Sequence, residues 1–218
     1  MIYTYGIKNG YSEIKGQSMI VIADYGMGNL HSVKKGLENV GADVFVSSDP
    51  AEIIKAEAIV LPGVGAYDDA CIRLKETGVA EAILKAAEAD KPLLGICLGM
   101  QLLFEGSEEG KEQGLGILPG KILRFPDTMK VPHMGWNRVQ TSECPLYNGI
   151  DGFYAYFVHS FYAPYDESYS VSKTAYSADF ASTVRKGNMY ATQFHPEKSG
   201  TMGIKVLENF AAIAAGKR

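Results

Sequence analysis

The chain of 218 residues contains 46% hydrophobic and 21% charged residues, and its formal net charge is -4. These proportions are typical of a globular protein long enough to bury a full core, and the negative charge argues against nucleic acid or an anionic membrane as the main partner. No apolar run approaches the roughly 18 residues needed to span a bilayer, and the first residues lack the pattern of a secretory signal.

The three cysteines, Cys71, Cys97 and Cys144, match neither a CxxC metal site nor a disulfide framework in number or spacing. Unpaired thiols indicate a reducing compartment, so we expect a cytoplasmic protein. Taken one at a time, each cysteine fits a small buried hydrophobic residue better than it fits a nucleophile.

Residues 1–18 are polar, rich in Tyr and Gly, and show no clear period. We interpret them as an N-terminal extension, natural or added, and place a single domain at residues 19–218. An additional edge strand is the alternative interpretation of residues 1–18.

From residue 19 onward, short apolar strands alternate with helical patterns. The predicted strands cover residues 19–23, 43–47, 57–61 and 92–96. Helical spacing of apolar residues appears over 30–40, much of 67–89 and 201–215. After about residue 115, alternating segments such as 153–162 and 182–194 indicate antiparallel strands. We therefore predict an α/β fold with a mostly parallel central sheet, helices on both faces and an added antiparallel portion.

The segment 91–101, Lys-Pro-Leu-Leu-Gly-Ile-Cys-Leu-Gly-Met-Gln, places Cys97 in the pattern G-x-C-x-G. A residue at such a strand-to-helix turn has a strained backbone and presents its side chain at the carboxyl edge of the sheet, where ligands bind. Gly95 and Gly99 would allow a close approach of neighbouring backbone. We expect a helix over 98–104 whose positive end favours the thiolate. The motif alone also fits a buried structural cysteine.

A thiol nucleophile needs a general base and a group that orients that base. His195 is the candidate base because it ends the alternating segment 189–195 and is followed by Pro196 and Glu197. In an extended strand, residues two apart project to the same side, so His195 and Glu197 should face together, while Pro196 should keep the segment out of helical geometry. His-x-Glu alone is common by chance, and the cysteine turn is what makes a catalytic interpretation the better one.

A second glycine-containing segment, Pro62-Gly63-Val64-Gly65, follows the third predicted strand. Glycines at a strand end can present backbone N–H groups without obstruction by side chains. Beside the nucleophile, this loop could supply one oxyanion donor and the N–H of Leu98 the other. Taken alone, the segment is more simply a tight turn.

Together these motifs resemble the class I glutamine amidotransferases over residues 19–218. The segments 95–101 and 193–199, Gly-Ile-Cys-Leu-Gly-Met-Gln and Gln-Phe-His-Pro-Glu-Lys-Ser, are typical of the class. Four further stretches are similar to the glutaminase subunits of imidazole glycerol phosphate synthases: 24–29, 62–66, 132–137 and 156–160. Relatives that serve anthranilate, aminodeoxychorismate, GMP or carbamoyl phosphate synthesis usually have His at the position of Met100.

The resemblance implies a flavodoxin-like α/β fold and a glutaminase domain at residues 19–218, with no metal or organic cofactor. It implies a catalytic triad of Cys97, His195 and Glu197, which hydrolyses the small-molecule substrate glutamine to glutamate and ammonia. The remaining implied site residues are the oxyanion donors Gly65 and Leu98, the substrate contact Gln101, and the backbone around Ser160 and Phe161.

The resemblance also implies a partner, a (β/α)8-barrel cyclase that receives ammonia through an internal tunnel and forms imidazole glycerol phosphate and AICAR. The implied interface positions are Asn29, Trp136, Tyr156 and Lys198. From the residues alone, the two aromatic side chains would be core residues and Lys198 a solvated charge. The resemblance further implies a glutaminase that is weak alone and becomes active when its partner's site is occupied. The loop 62–65 is the physical candidate for the element that switches the glutaminase on.

Two other functions remain open from the sequence. A stand-alone cysteine hydrolase of the related α/β thiol class would keep Cys97 but would not require His195 and Glu197. A catalytically silent interaction subunit would use only the surface around Trp136, Tyr156 and Lys198. Two further histidines, His133 and His159, fit structural roles better than catalytic ones.

Overall fold

The computed structural model describes residues 19–216, so the predicted extension at residues 1–18 lies outside the described residues. Twelve strands are described: β1 (Met19–Ala23), β2 (Asp43–Ser47), β3 (Ala58–Gly63), β4 (Leu93–Cys97), β5 (Gly106–Ser107), β6 (Lys121–Arg124), β7 (His133–Thr141), β8 (Phe153–His159), β9 (Phe161–Tyr162), β10 (Ser170–Ala175), β11 (Asp179–Lys186) and β12 (Met189–Thr192). The six α-helices are α1 (Leu30–Glu38), α2 (Pro50–Lys55), α3 (Tyr67–Glu76), α4 (Val79–Glu88), α5 (Leu98–Gln101) and α6 (Gly200–Ala214).

The main sheet has nine strands in the order β2-β1-β3-β4-β12-β11-β10-β7-β8. The five strands from β2 to β12 are parallel, and the remaining four continue the sheet in antiparallel pairs. The parallel half therefore has the flavodoxin-like order 2-1-3-4-5, with β12 in the fifth place. A small sheet, β5-β6-β9, lies beside it. The predicted fold class is confirmed.

The sheet is buried on both faces because successive side chains of each parallel strand enter opposite hydrophobic cores. On β1, Val21 belongs to one core and Ile22 to the other, and both are fully buried. Helices α2, α3 and α4 contribute to the first core, and α1 and α6 to the second. This two-sided burial explains why the parallel strands are continuous apolar runs.

Several boundaries differ from the sequence prediction. The strand β3 continues through Pro62 to Gly63, two residues beyond its predicted end. The helical stretch 67–89 divides into two helices at Gly78, which has φ 73°. Helix α2 was missed, although it carries ordinary start signals: Asp49 accepts a hydrogen bond from the amide of Ala51, and Pro50 occupies the first turn.

Among the described helices, none is long and apolar enough to cross a membrane.

The turn after β4 packs against β3 through glycine backbone. A β-carbon on Gly99 would collide with the carbonyl oxygen of Leu61 on β3. A β-carbon on Gly95 would lie 2.9 Å from the Cβ of Ala191 on β12 and 3.0 Å from the carbonyl oxygen of Gly99. Real Cβ atoms do not approach other atoms so closely, so both positions require glycine, as the spacing around Cys97 predicts.

We expect Gly99→Ala to destabilise the fold by about 3 kcal/mol or more, because the obstructing atom belongs to the backbone of a central strand and cannot move aside easily. The control is Gly106→Ala, where the added carbon would lie 3.8 Å from the flexible Lys121 side chain and should cost less than about 1 kcal/mol. Urea unfolding followed by circular dichroism measures both. Equal losses of stability in the two variants would contradict the close-packing explanation.

Candidate active site

Cys97 is the last residue of β4, and α5 begins at the next residue. Its backbone has φ 56° and ψ -112°, a conformation that costs energy for any residue except glycine. The predicted strained strand-to-helix turn is therefore confirmed. The predicted length of the following helix is wrong: α5 ends at Gln101 rather than continuing to residue 104. One helical turn supplies a smaller dipole at Cys97 than the longer helix would.

His195 and Glu197 form a buried pair in which His195 Nδ1 lies 2.9 Å from Glu197 Oε1. The prediction that an extended strand brings His195 and Glu197 to the same side is wrong. Strand β12 ends at Thr192, and Pro196–Lys198 forms a short 3-10 turn instead of extended chain. Pro196 starts this turn because its fixed φ suits the first helical position and its missing N–H is not needed there.

The neighbouring strand β8 holds this turn in place. The amide of His195 donates to the carbonyl oxygen of Tyr156 at 3.1 Å, and the amide of Tyr156 donates to Ser199 Oγ at 3.0 Å. Ser199 Oγ in turn donates to the carbonyl oxygen of His195 at 2.6 Å. The position of the imidazole is therefore set by main-chain hydrogen bonds to a strand distant in sequence.

The electrostatic environment favours the protonated form of His195. Burial alone would lower its pKa, but interactions with Cys97 and with the carboxylate of Glu197 outweigh burial and raise the pKa to about 9. The other ring nitrogen, Nε2, is buried and makes no hydrogen bond within the described part of the chain. Because Nδ1 is held by Glu197, Nε2 is the nitrogen left for proton transfer to and from a ligand.

Cys97 and His195 line the same cleft, which has a volume of about 320 Å³. The predicted oxyanion and substrate residues also line it: Gly65, Leu98, Gln101, Ser160 and Phe161. The carboxylate of Glu197 lies behind the imidazole and is buried. The fold thus brings residues from positions 65 to 197 to the carboxyl edge of the parallel strands, where ligands bind in open α/β sheets.

The other two cysteines lie in different surroundings. Burial raises the pKa of Cys71 to about 11 and also raises the pKa of Cys144, so both thiols stay protonated at neutral pH. Cys144 lines a larger groove of about 1250 Å³ whose described lining residues include no histidine. Cys97 is therefore the candidate nucleophile.

Over residues 19–216, no group of three or more His, Cys, Asp and Glu side chains could hold a metal ion.

The predicted oxyanion loop is shorter than the sequence indicates, because Pro62 and Gly63 belong to β3. The loop begins at Val64, and Gly65 has φ 103°, a conformation that favours glycine. Tyr25, which follows β1, donates from its buried hydroxyl to the carbonyl oxygen of Pro62 at 2.9 Å. A β-carbon on Gly65 would lie 2.8 Å from Met27 Cε. The segment after β1 therefore packs against this loop through Tyr25 and Met27.

Gln101 makes two hydrogen bonds inside the protein. Its Nε2 donates to the carbonyl oxygen of Phe161 at 3.1 Å and to Gln193 Oε1 at 3.0 Å. Both amide hydrogens are then used, so Gln101 can contact a ligand only through Oε1. Gln193 Nε2 lies 3.9 Å from Cys97 Sγ. Gln193 was not among the site residues predicted from the sequence, although it opens the segment 193–199 that contains His195.

The pairing of β9 with β6 determines the direction of the backbone polar groups of Phe161, a residue that lines the cleft. The amide of Phe125 donates to the carbonyl oxygen of Ser160, so the next pair in the antiparallel ladder, Arg124 with Phe161, is not hydrogen-bonded. Both backbone polar groups of Phe161 therefore point away from β6. Its carbonyl oxygen accepts from Gln101, and its N–H projects to the same side.

Glu109 also lines the cleft, although the sequence did not predict it as a site residue. Glu109 is exposed as a residue, but partial burial of its carboxyl group raises its pKa, and a hydrogen bond from the backbone of Tyr67 opposes that shift. It is the only acidic side chain among the described lining residues of the cleft, where a positively charged ligand group would pair with it. The sequence carries a weak signal for this residue, because Glu108 and Glu109 look like ordinary solvated charges in a loop.

The predicted interface residues lie near the carboxyl edge of the sheet or on the β7–β8 pair. Trp136 and Tyr156 are opposite each other in that pair, with ring centroids 6.4 Å apart. Trp136 is 57% exposed, so the interpretation of Trp136 as a core aromatic is wrong, and Tyr156 is half-buried. Lys198 is exposed. Asn29 precedes α1 and its side chain accepts from the amide of Ser32.

We expect Glu197→Gln to lower the pKa of His195 from about 9, because the carboxylate is one of the groups that raise it. A raised pKa stabilises the fold fully below the ordinary value of 6.5 and ceases to do so as the pH rises through about 9. The stability difference between wild type and Glu197→Gln should therefore narrow over that window. NMR titration of labelled histidine and urea unfolding measure the two effects, with Glu143→Gln, which removes an exposed carboxylate, as control. An unchanged titration of His195 in Glu197→Gln would contradict this assignment.

Comparison with known proteins gives one family. Residues 21–214 match the family Glutamine amidotransferase class-I. The chain is 48% identical over 208 residues to imidazole glycerol phosphate synthase subunit HisH of Geobacillus sp. (strain WCH70), covering 91% of this chain and 99% of that protein. It is 50% identical over 202 residues to the subunit HisH of Methanosarcina acetivorans, covering 89% and 98%.

Solved structures agree on the fold. The chain superposes on PurLQS from Thermotoga maritima with a TM-score of 0.72 and 22% identity, covering 89% of this chain and 97% of that chain. A glutamine amidotransferase matches with a TM-score of 0.71 and 19% identity, covering 90% and 98%. Sequence identities this low support the fold alone, whereas the family match and the relatives near 50% identity extend over almost the whole domain. The chain belongs to the class I glutamine amidotransferases, and within them to the family of imidazole glycerol phosphate synthase subunits HisH.

Proposed function

We propose that this protein is the glutaminase subunit of imidazole glycerol phosphate synthase, and that it hydrolyses glutamine to glutamate and ammonia for use by a cyclase partner. The observation that carries the proposal is the strained Cys97 turn in one cleft with the buried His195–Glu197 pair. The cyclase would be a (β/α)8 barrel that uses the ammonia to form imidazole glycerol phosphate and AICAR. Free cysteines among residues 19–216 support a reducing compartment, the cytoplasm, as its location.

The proposed chemistry is acyl transfer through a thioester. The Cys97 thiolate attacks the side-chain carbonyl carbon of glutamine, and the carbonyl π electrons move to oxygen to give a tetrahedral oxyanion. His195 then gives its Nε2 proton to the departing nitrogen as the C–N bond breaks, releasing ammonia and leaving a glutamyl thioester. Water, deprotonated by His195, attacks the thioester and releases glutamate with the Cys97 thiolate. Glu197 holds the imidazole orientation throughout and stabilises its charged form.

The oxyanion would be stabilised by two backbone N–H groups, those of Leu98 and Gly65. Leu98 follows the nucleophile directly and begins α5, so its N–H is not used within the helix. Gly65 lies in the loop after β3, and its positive φ shows a backbone that glycine alone adopts easily. Rotation of peptide groups in this short, exposed loop is the physical candidate for control by the partner.

The other end of the cleft suits the charged groups of the amino acid. The N–H of Phe161, which the strand pairing turns away from β6, can donate to the α-carboxylate of glutamine. Glu109 can pair with the α-ammonium group, and Gln101 can accept through Oε1. Ser160 contributes backbone at the cleft wall. Recognition at both charged groups would place the side-chain amide at Cys97.

The partner surface would include the exposed aromatic face of the β7–β8 pair. Trp136 and Tyr156 lie on that pair, and Lys198 belongs to the same turn as the catalytic His195 and Glu197. Exposed aromatic side chains are enriched at the centres of protein interfaces. Asn29, at the carboxyl edge after β1, would extend the surface. Docking there would cover the mouth of the cleft and direct ammonia to the second active site.

The central test is glutamine hydrolysis with and without the cyclase partner. We expect glutamate and ammonia to form at equal rates, much faster with the partner present, and activity to fall by at least about 1000-fold in Cys97→Ser because hydroxyl is a poor nucleophile in a site built for a thiolate. A glutamine-like electrophile such as 6-diazo-5-oxo-norleucine should label Cys97 and neither Cys71 nor Cys144.

The outcomes separate the alternatives. A catalytically silent interaction subunit would form the complex but give no stoichiometric adduct at Cys97. A stand-alone hydrolase would show the same rate with and without the partner. Labelling of Cys71 or Cys144 in folded protein would contradict the assignment of Cys97 as the single reactive thiol.

A second prediction concerns Glu109. We expect Glu109→Gln to raise the KM for glutamine by about 10- to 100-fold, because the variant loses the charge that pairs with the α-ammonium group inside a partly closed cleft. The matched control is Glu108→Gln at the neighbouring position, which is not among the residues that line the cleft. Glutaramate, which lacks the α-amino group, separates recognition of ammonium from general damage: wild type and Glu109→Gln should hydrolyse it equally poorly. A selective loss of glutaramate hydrolysis in Glu109→Gln would contradict the assignment.

A further inference from the structure

A chain of buried and partly buried hydrogen bonds connects β7 with the residue Phe161 that lines the cleft. Asn137 Nδ2 lies 3.2 Å from His133 Nε2, and His133 Nδ1 lies 2.9 Å from His159 Nε2. His159 Nδ1 lies 2.8 Å from the carbonyl oxygen of Phe161. Both histidines are buried. The proposed reaction does not use either of them, so their arrangement needs its own explanation.

The direction of these hydrogen bonds follows from the groups at the Asn137 end. Asn137 Nδ2 also lies 3.0 Å from the carbonyl oxygen of Ala175, which can only accept, and the amide of Arg138, which can only donate, lies 2.7 Å from Asn137 Oδ1. The side-chain amide of Asn137 therefore has one orientation, and its second hydrogen faces His133 Nε2. That nitrogen must be the bare acceptor, so His133 carries its proton on Nδ1.

The other end of the chain imposes the same direction independently. The carbonyl oxygen of Phe161 can only accept, so His159 carries its proton on Nδ1 and leaves Nε2 bare. That bare nitrogen accepts the Nδ1 proton of His133. The three hydrogen bonds made by the two rings thus agree on one neutral tautomer for each ring. Burial lowers the pKa of His133 to about 4 and that of His159 to about 3, so both rings remain neutral at physiological pH.

Packing prevents the rings from turning over. The His133 ring stacks between Tyr176, at a centroid distance of 4.1 Å, and Phe157, at 4.9 Å. His159 lies 5.1 Å from the Phe125 ring and 5.2 Å from the Phe180 ring. A flip of either imidazole would have to disturb this close-packed aromatic cluster.

The carbonyl oxygen of Phe161 is consequently held by two donors, His159 Nδ1 and Gln101 Nε2. Two donors fix a carbonyl direction where one would permit rotation. The N–H of Phe161 belongs to the same extended residue, so it is fixed with the carbonyl. The side chains of Gln101 and His159 therefore act on the group that, under the proposed function, contacts the substrate.

We propose that His159 is a positioning residue for glutamine binding, held in its Nδ1–H tautomer by His133 and Asn137, and that it acts by orienting the backbone of Phe161. The proposal rests on the proposed glutaminase function. It assigns no contact between His159 and the reacting atoms. Its effect should consequently appear in the binding of glutamine rather than in the reactivity of Cys97.

The test compares two replacements of similar size in the complex with the cyclase partner. His159→Asn places an amide donor near the position of Nδ1, whereas His159→Leu has no donor. We expect His159→Leu to raise the KM for glutamine by about 10-fold, the effect of losing one hydrogen bond of ordinary strength, with kcat changed less than about threefold. His159→Asn should restore a KM within about threefold of wild type. Alkylation of Cys97 by iodoacetamide, which needs no glutamine site, should proceed at the wild-type rate in both.

Three outcomes would overturn the proposal. An unchanged KM in His159→Leu, or an equal rise in both variants, would show that His159 only fills space. Loss of kcat with unchanged KM would place it in the chemistry instead. If wild type with its partner hydrolyses no glutamine, the proposed function fails and this inference fails with it, a result distinct from the first two.

A measurement on wild type covers the case in which His159→Leu does not fold. Nitrogen-15 chemical shifts distinguish protonated from bare imidazole nitrogens. We expect both His133 and His159 to show a protonated Nδ1 and a bare Nε2 that do not titrate between pH 6 and pH 8, a window well above the pKa values of about 4 and about 3. A protonated Nε2 on His159 would overturn the proposal without any variant.

Discussion

The position of the candidate nucleophile depends on how closely the backbone of the turn after β4 approaches β3 and β12. At Gly99 an added β-carbon would meet the carbonyl oxygen of Leu61, and at Gly63 it would lie 2.8 Å from the amide nitrogen of Gly99. Contacts this close are possible only between backbones without side chains. They allow the chain to reverse within one residue, and the strain at Cys97 is maintained because the surrounding strands are fully buried.

From that fixed point, the remaining groups are placed by strands that are distant in sequence. Strand β8 holds the turn of His195 through the backbone of Tyr156. The side chain of Tyr156 faces the surface proposed for the partner, so one residue belongs to both the interface and the support of the base. Tyr25 holds Pro62 at the base of the oxyanion loop in a similar way. The site is therefore a set of loops and turns supported by a rigid sheet.

Burial gives similar side chains different roles in this protein. Cys71 and Cys144 are kept protonated by burial, whereas Cys97 lies in a cleft beside a basic imidazole. Among the histidines, interactions with Cys97 and Glu197 raise the pKa of His195 to about 9, whereas burial lowers the pKa of His133 to about 4. The contrast explains why one imidazole can exchange protons and the other can hold a fixed tautomer.

The sequence by itself determined the fold class and the identity of the triad candidates, because apolar periodicity, glycine spacing and the Gly-x-Cys-x-Gly pattern are local properties of the chain. It did not determine how the side chains of His195 and Glu197 come into contact. The segment His195-Pro196-Glu197 is compatible both with an extended strand and with a 3-10 turn that starts at the proline, and the structure has the turn. Only the tertiary structure placed Gln193 and Glu109 in the site, and only it showed Trp136 as exposed. These assignments depend on contacts between segments up to about 100 residues apart in the chain, and such contacts have no signature in local sequence.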